Sequence, residues 1–410
     1  KTKTATVDGL NQRFRITASG VSSGLQEGDS PHVLGNPILT KVPVSEVVEI
    51  VLGEGSLLAN AREYLTNYQS DARLMSTLGS KCKGCEFRVK KEEREPGQVS
   101  GFEECWREQA KLKDKDFGRP SILDLWNFRQ TDKCISDGVY FMEDLDIEET
   151  LMKRNKGGEL SYKSSNAERQ HLQIRRTCKE RDEYVDPELF AKMESWRFPL
   201  HFIDFETCMV AIPFHRNHRT YEQIAFQYSC HRLNEDGSSD HPEWIQKEPG
   251  EFPNFAFLSA LKSILDVDDG TVFRYAAHEN TILRQIRDQL TKAREEGGFG
   301  IPDDADSLIQ WVDTITEWDE VVIEGTKTRK VRSRGDRNMV DMCGLVQKHY
   351  YHPRMGGSNS MKAVLPAVME ASGLLRKKYS QPCSSRNFKD MVWWRESANA
   401  DQPMDPYRLL

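Results

Sequence analysis

The stretch Leu200-His-Phe-Ile-Asp-Phe-Glu-Thr207 decides the fold predicted for this chain. A short apolar run leads into two carboxylates, Asp204 and Glu206, which stand two residues apart. In a β-strand, side chains at positions i and i+2 point to the same face of the sheet. Two like charges held this close repel each other unless a cation lies between them, and Mg²⁺ prefers carboxylate oxygens and water as ligands. The stretch therefore predicts either a strand that carries a divalent-metal site or a surface strand with alternating acids.

The composition indicates a polar-surfaced globular protein. The chain has 410 residues, enough for two or three domains, and it is 38% hydrophobic and 30% charged. No apolar run approaches the roughly 20 residues of a membrane span, and no signal peptide is visible, so we predict a cytoplasmic protein without membrane contact. The net charge of −7 does not by itself indicate a nucleic-acid binder. The sequence starts at Lys1 in a strand-like segment and ends at Leu410 without a polar tail, from which we expect a fragment of a longer protein.

A group of cysteines gives the first chemical signal along the chain. Cys82 and Cys85 form a C-x₂-C pair, and Cys105 follows twenty residues later. Thiolates at this spacing can bind one metal ion or one edge of an iron–sulfur cluster. A zinc ion needs a fourth ligand, for which Cys134 is available, and free thiols are the alternative.

Downstream of the opening stretch, the hydrophobic periodicity predicts alternating strands and helices. The predicted elements are a strand at Tyr221–His231, a strand at His241–Ile245, a helix at Phe252–Leu265, a strand at Thr271–Ala277 and a helix at His278–Leu290. Three antiparallel strands, a helix, a parallel strand and a helix is the order of a ribonuclease H-like fold. In that fold the first strand carries two acids, a later strand-to-helix junction carries a third, and the three converge on two metal ions. In this chain the third acid is Glu279. We therefore predict an α/β protein with a ribonuclease H-like mixed sheet and flanking helices, preceded by a mostly helical part-domain that contains the cysteines.

Two basic segments are candidates for phosphate contacts. Residues 321–337 predict a hairpin that carries Arg329, Lys330 and Arg332, and the alternative is a solvated hairpin without a ligand. The run Gly356-Gly-Ser-Asn-Ser360 leads into a predicted helix with Lys362 in its first turn. Its backbone N–H groups, with Ser360 and Lys362, can hold a phosphate, or Ser360 can be an ordinary helix cap.

Two family resemblances follow from quoted motifs. Four segments resemble the domain of unknown function 2779 family, which is similar to DnaQ-like 3′–5′ exonucleases of the DEDD class. They are His201-Phe-Ile-Asp-Phe-Glu-Thr207, Tyr221-Glu-Gln-Ile-Ala-Phe-Gln-Tyr-Ser229, His278-Glu-Asn-Thr-Ile-Leu283 and the segment from Asp341-Met-Cys343 to Pro366. The cysteine segment, with Asp137-Gly-Val-Tyr-Phe-Met-Glu-Asp-Leu145, looks like the cysteine-rich end of RecB-like PD-(D/E)XK nucleases.

The resemblance implies roles for individual residues. Asp204 and Glu206 match the first motif and Glu279 the second, as ligands of Mg²⁺ or Mn²⁺. Cys82, Cys85 and Cys105 match ligands of a [4Fe–4S] cluster whose fourth cysteine lies before Lys1.

The resemblance also implies a last acid on a C-terminal helix. Asp390, Asp401 and Asp405 lie in a stretch without helical periodicity. We therefore expect no helix after Leu365, and a chain that ends before the third motif.

The expected function is that of a metal-dependent nuclease. We predict a 3′–5′ exonuclease that cleaves single-stranded DNA or RNA by two-metal hydrolysis. The alternative is a catalytically degenerate nucleic-acid-binding or structural module whose partner is a RecB-like nuclease domain. The predicted domains are residues 1–150, the end of that nuclease domain, residues 151–197, a charged helical linker, and residues 198–410, the exonuclease domain.

Overall fold

The structure of this chain is a computed structural model. It describes residues 2–7, 10–17, 20–25, 42–53, 56–72, 74, 76–89, 94–215, 218–248, 250–298, 300–324, 327–385, 388–395 and 406–409. Asp401 and Asp405, two of the acids in the stretch without helical periodicity, lie outside these residues.

The described residues form both helices and strands. The α-helices are α1 (Ser45–Gly53), α2 (Ser56–Gln69), α3 (Gly101–Ala110), α4 (Thr131–Ser136), α5 (Ile147–Leu151), α6 (Ser165–Arg175), α7 (Pro187–Glu194), α8 (Asn254–Leu265), α9 (His278–Glu296), α10 (Ala305–Ile315), α11 (Met342–His349), α12 (Met361–Ala371) and α13 (Gly373–Tyr379). The strands are β1 (Thr2–Val7), β2 (Leu10–Thr17), β3 (Gly20–Leu25), β4 (Met152–Arg154), β5 (Leu160–Tyr162), β6 (Tyr184–Val185), β7 (Leu200–Met209), β8 (Gln223–Leu233), β9 (Ser239–Asp240), β10 (Glu243–Ile245), β11 (Val272–Arg274), β12 (Glu317–Glu324), β13 (Lys327–Arg334), β14 (Val340–Asp341) and β15 (Tyr350–Tyr351).

The chain divides into two compact units. The sheet unit comprises Lys1–Ser45 and Lys192–Met342, and the helical unit comprises Glu46–Ala191 and Cys343–Leu410. The domain boundaries predicted from the sequence stay predictions.

A mixed six-stranded sheet organises the sheet unit. Its strand order is β10-β8-β7-β11-β14, and β9 pairs with β8 outside this path. β7 and β10 are antiparallel to β8, whereas β11 is parallel to both β7 and β14. The β7–β8 ladder runs from Leu200 opposite Leu233 to Met209 opposite Gln223. These strands confirm that the sequence encodes a mixed α/β protein.

Helices α8, α9 and α10 cover one face of this sheet. Apolar residues at helical spacing on each of them enter one core with β7 and β8. Its fully buried members include Leu258, Leu261, Leu265, Ile282, Leu283, Ile286, Leu290, Leu308, Val312 and Ile315. The core fixes α9 against the sheet, and α9 carries Glu279 in its first turn.

Two smaller sheets belong to the same unit. β1, β2 and β3 form an antiparallel three-stranded sheet, and β12 and β13 form a two-stranded hairpin of eight residues per strand. This hairpin confirms the element predicted over residues 321–337.

The helical unit has two apolar cores. One includes residues of α3, α4, α5 and α6, with Trp106, Ile122 and Leu151 among its most buried members. The other is centred on Tyr351 and α12. Residues 151–197, predicted as a charged linker, fold into β4, β5, α6, β6 and α7, and α6 buries Gln173 and Ile174.

The expectation that no helix follows Leu365 is wrong. α12 continues to Ala371, and α13 begins after Ser372, whose hydroxyl accepts a hydrogen bond from the Leu375 N–H. This cap lets a second helix start where the sequence pattern shows no amphipathic stripe. α13 reads Gly-Leu-Leu-Arg-Lys-Lys-Tyr and contributes no carboxylate.

In the part of the chain that the structure describes, none of the helices combines the length and apolarity needed to cross a bilayer.

Candidate metal centre of the sheet unit

Strand β7 places Asp204 and Glu206 on one face of the sheet. Their neighbours Ile203 and Phe205 point to the other face and are buried in the core, whereas both acids are exposed. Across the ladder, Asp204 lies opposite Ser229 and Glu206 lies opposite Gln227. This alternation confirms the prediction that the two carboxylates share a face.

The end of β7 approaches the start of α9. The ladder shifts register between Glu206 and Thr207, which is the signature of a β-bulge. Just beyond the bulge, the Thr207 hydroxyl lies 3.5 Å from Nε2 of His278, the first residue of α9. The strand end that carries two acids and the helix start that carries the third are therefore neighbours in space.

Glu279 is buried at this junction. It is the second residue of α9 and only 3% exposed. Its Oε2 is buried and has no hydrogen-bond partner among the described residues. A carboxylate oxygen left in this state costs about 1–3 kcal/mol unless something supplies a positive or donating group.

The electrostatics of Glu279 reflect the burial and its neighbours. Burial, with smaller contributions from the nearby carboxylates of Asp204 and Asp341, raises the pKa of this carboxyl from 4.5 to about 7. The backbone N–H of Glu279 and the guanidinium of Arg274 act in the opposite direction on the pKa. Asp204 and Glu279 are therefore close enough to interact, and a cation between them would stabilise the ionised form of both.

Asp341 is a fourth acid that sequence reasoning placed differently. The apolar spacing from Met339 to Tyr350 predicts a helix with Asp341 off its buried face, but in the structure Asp341 ends β14 and α11 starts at Met342. Because β14 runs parallel to β11, Asp341 lies opposite Arg274 at the end of that strand. Its Oδ1 accepts a hydrogen bond of 3.1 Å from the Ala276 N–H. The signal available in the sequence was the short apolar pair before Asp341, the same pattern that precedes Asp204.

The four acids are not arranged tightly around a single point. Within the described ranges, the one group of three side chains whose ligand atoms all lie within 4.8 Å of one another is Asp186, Glu188 and His349 in the helical unit. There, Asp186 accepts hydrogen bonds from the Glu188 N–H (2.9 Å) and shares one of 3.2 Å with His349 Nδ1. Through these two bonds, Asp186 caps the start of α7 and is linked to His349 at the end of α11.

The three cysteines of the predicted cluster lie in the helical unit. Cys82 lies in a 3₁₀ turn over Ser80–Gly84, Cys85 follows it, and Cys105 lies on α3. None of the three forms a disulfide. Sulfurs around one zinc ion are ~3.8 Å apart, whereas these three do not all lie within 4.8 Å of one another, and the zinc assignment stays a prediction. The [4Fe–4S] assignment stays a prediction, because ligands of a cluster are spaced more widely than ligands of one ion. Burial raises the pKa of the Cys134 thiol, which disfavours it as a fourth thiolate.

The hairpin β12–β13 carries its predicted basic residues among acids. Arg332 is paired with Asp319 at 3.0 Å, directly across the ladder. Arg329 and Lys330 are exposed, and Lys330 shares a face with Arg332 because the two are two residues apart. Part of the basic character predicted for the hairpin is therefore neutralised near its base, and Arg329 and Lys330 lie nearer its tip.

Ser360 and Lys362 lie at the start of α12. Ser360 is the residue before the helix, but its side chain caps no helical N–H and instead lies 3.1 Å from the Ser358 hydroxyl. Lys362 is exposed in the first turn. Phosphate binding at this helix start stays a prediction.

The site thus belongs to a mixed α/β unit in which four acids come from three strand or helix ends. Residues 201–360 match the family model of a domain of unknown function, DUF2779, and the match supports placing this segment in that family. The matched segment contains Asp204, Glu206, Glu279, Asp341 and Ser360, and it ends before Lys362. No curated protein and no solved structure matches the chain.

Proposed function

We propose that the sheet unit is a metal-dependent nuclease domain that hydrolyses phosphodiester bonds of single-stranded DNA or RNA from the 3′ end. The observation that carries the proposal is the buried carboxyl of Glu279, whose Oε2 lacks a partner among the described residues and whose neighbours include Asp204. An ordinary structural carboxylate would have a donor or a cation beside each oxygen. A divalent ion bound there would supply the missing positive charge.

The strand order supports a ribonuclease H-like fold for this unit. The five strands of the main path, taken along the chain, are β7, β8, β10, β11 and β14, here numbered one to five. Side by side in the sheet they lie in the order 3-2-1-4-5. Only the second of them, β8, is antiparallel to the others. The elements predicted from the sequence, three antiparallel strands, a helix, a parallel strand and a helix, occur in that succession along the chain. Asp204 and Glu206 lie in the first strand, Glu279 lies in the first turn of the helix that follows the fourth, and Asp341 ends the fifth.

The chain's own residues have distinct tasks in the proposed reaction. Asp204 and Glu206 offer exposed carboxylates that can bind an ion together with water and substrate oxygens. Glu279 holds a carboxyl of high pKa that must lose its proton before it can bind an ion. Bound Mg²⁺ or Mn²⁺ would activate water and stabilise the charge that develops on the phosphate.

The hairpin β12–β13 is the proposed contact for the substrate backbone. Its exposed Arg329 and Lys330 can neutralise phosphates without reading the bases. The hairpin continues into β14, which ends at Asp341 beside the acid site. Contacts at the hairpin would therefore hold a strand whose end reaches the acids.

The experiment that tests the proposal is a degradation assay on oligonucleotides labelled at the 5′ end. The full chain with Mn²⁺ should shorten single-stranded DNA or RNA stepwise, and Asp204→Asn should lower the rate by at least about 100-fold. Asp303→Asn, in an exposed loop of the same unit, is the control and should retain the activity. Equal rates for wild type and Asp204→Asn would remove Asp204 from the mechanism.

The spacing of the acids favours a second candidate function. Asp204, Glu206 and Glu279 do not all lie within 4.8 Å of one another, so the site is open compared with a preformed single-ion centre. A degenerate module that binds nucleic acid without cleaving it would have this property. Nucleic acid that binds with no response to Mn²⁺, and without cleavage, would identify that module.

For the helical unit we propose that Cys82, Cys85 and Cys105 contribute to an iron–sulfur cluster. Iron analysis after anaerobic purification tests this directly, together with a broad visible absorption band. Cys105→Ser should lose the iron, whereas Cys383→Ser, outside the proposed ligand set, should retain it.

A further inference from the structure

A buried guanidinium lies beside the acid site and has no role in the proposed metal chemistry. Arg274 ends β11 and is 3% exposed. Its Nη1 donates a hydrogen bond to the Ala276 carbonyl and lies 3.8 Å from Asp341 Oδ2, and its Nη2 lies 2.9 Å from Glu317 Oε1. One side chain thus contacts the turn after β11, the end of β14 and the start of β12.

The turn that Arg274 contacts has an unusual backbone. Ala276 has a φ of +66°, in the left-handed region that residues with a Cβ rarely adopt. It is held from two sides, because its carbonyl accepts from Arg274 and its N–H donates to Asp341 at 3.1 Å. Two residues later α9 begins, and Glu279 follows at once. The conformation of Ala276 therefore sets the direction in which the helix start presents Glu279.

Glu317 links the same region to the basic hairpin. The Asn280 side chain, in the first turn of α9, donates to the Glu317 carbonyl at 2.9 Å and accepts from the Glu317 N–H at 2.8 Å. The Glu317 carboxylate also lies 3.1 Å from Arg334 Nε at the end of β13. The base of the hairpin, the first turn of α9 and Arg274 consequently form one connected network.

We propose that Arg274 is a positioning residue of the acid site. By holding Ala276 in its left-handed conformation and binding Glu317, it keeps Glu279 directed toward Asp204 and joins the hairpin base to the acids. The positioning is a property of the metal-free protein. Its consequence for metal binding rests on the proposed function.

Charge repulsion alone would give Arg274 the opposite effect on metal affinity. A cation close to the carboxylates repels a divalent ion, so removing Arg274 should strengthen binding if its charge were all that mattered. If Arg274 positions Glu279, its removal should weaken binding instead. The direction of the change in affinity therefore separates the two roles.

The experiment compares Arg274→Met with Arg337→Met in the full chain. Arg337 is the control, because it is a partly buried arginine of the sheet unit that likewise donates to backbone carbonyls, those of Leu265 and Gly270. Mn²⁺ affinity is measured by isothermal titration calorimetry, and amide hydrogen exchange of residues 276–282 is measured without metal. We expect Arg274→Met to weaken Mn²⁺ binding at least tenfold and to accelerate exchange in this segment at least tenfold. For Arg337→Met, the Mn²⁺ affinity and the exchange rate should both stay within twofold of the wild type.

Two further variants keep the result interpretable. Arg274→Lys retains the charge but cannot reach Ala276, Asp341 and Glu317 together. It should therefore also weaken Mn²⁺ binding and accelerate amide exchange, as Arg274→Met does. If Arg274→Met does not fold, Arg274→Lys alone tests the positioning role. Ala276→Gly in the Arg274→Met background should restore part of the Mn²⁺ affinity, because glycine adopts a positive φ without the clamp.

Each outcome has a definite meaning. Unchanged exchange in both Arg274 variants overturns the proposal, as does Mn²⁺ affinity that rises in Arg274→Met. If the wild type binds no Mn²⁺ but the Arg274 variants exchange faster than the wild type, the positioning role is supported and the metal site is refuted.

Discussion

Replacement of Glu279 by glutamine should stabilise the metal-free protein, and more so as the pH rises. In the folded chain the pKa of this carboxyl is raised from 4.5 to about 7, chiefly by burial. The folded state therefore binds a proton that the unfolded state has already lost between these two pH values. The favourable contribution is fully present below pH 4.5 and is lost as the pH rises through 7.

The size of the effect follows from the two pKa values. Between pH 5 and pH 8 the ionisation of Glu279 should lower the free energy of unfolding of the wild type by about 2.5 kcal/mol. Glu279→Gln lacks this component, so its advantage over the wild type should grow by about the same amount over this range. Urea denaturation with a chelator present, at pH 5 and pH 8, measures the difference. Glu295→Gln, on an exposed position of α9, is the control and should follow the wild type.

A pH-independent difference between Glu279→Gln and wild type would refute this reasoning. It would mean that the carboxyl is hydrated or paired in the folded protein, and the main argument for a cation at Glu279 would then be lost. A loss of stability at pH 8 would have the same meaning.

Three further predictions concern the same unit. Mn²⁺ at 100 times its dissociation constant should raise the free energy of unfolding of the wild type by about 2.7 kcal/mol and leave that of Glu279→Gln unchanged. Urea denaturation at pH 7.5 measures both, and an equal gain in the two proteins would place the ion elsewhere. Ala276→Gly should raise the free energy of unfolding by about 1 kcal/mol, because the left-handed φ of +66° no longer carries a Cβ; a lower urea midpoint would contradict the strained turn. Ile286→Ala should cost about 2–5 kcal/mol, because Ile286 is fully buried between α9 and the sheet; a loss below 1 kcal/mol would show that α9 is not packed as described.

The local parts of this site were predictable from the sequence because they depend on short periodicities. Alternation along β7 places Asp204 and Glu206 together, and the 3.6-residue stripe of α9 fixes which face of the helix is buried. The strand predicted at Thr271–Ala277 is shorter in the structure and ends at Arg274. The left-handed Ala276 breaks the strand there, and no sequence rule indicates that an alanine takes this conformation.

The rest of the site depends on contacts between distant residues. Asp341 and Glu317 reach Arg274 from 67 and 43 positions further along the chain. Pairings of this kind follow from the sheet order, which the sequence indicates only through the order of its elements. The group formed by Asp186 and His349 was missed for the same reason.

Anomalous diffraction from a crystal of the full chain soaked in Mn²⁺ tests the central claim most directly. The account predicts a Mn²⁺ peak within about 2.5 Å of carboxylate oxygens of both Asp204 and Glu279. No peak at these acids, with Glu279 Oε2 instead bonded to a protein donor, would contradict it.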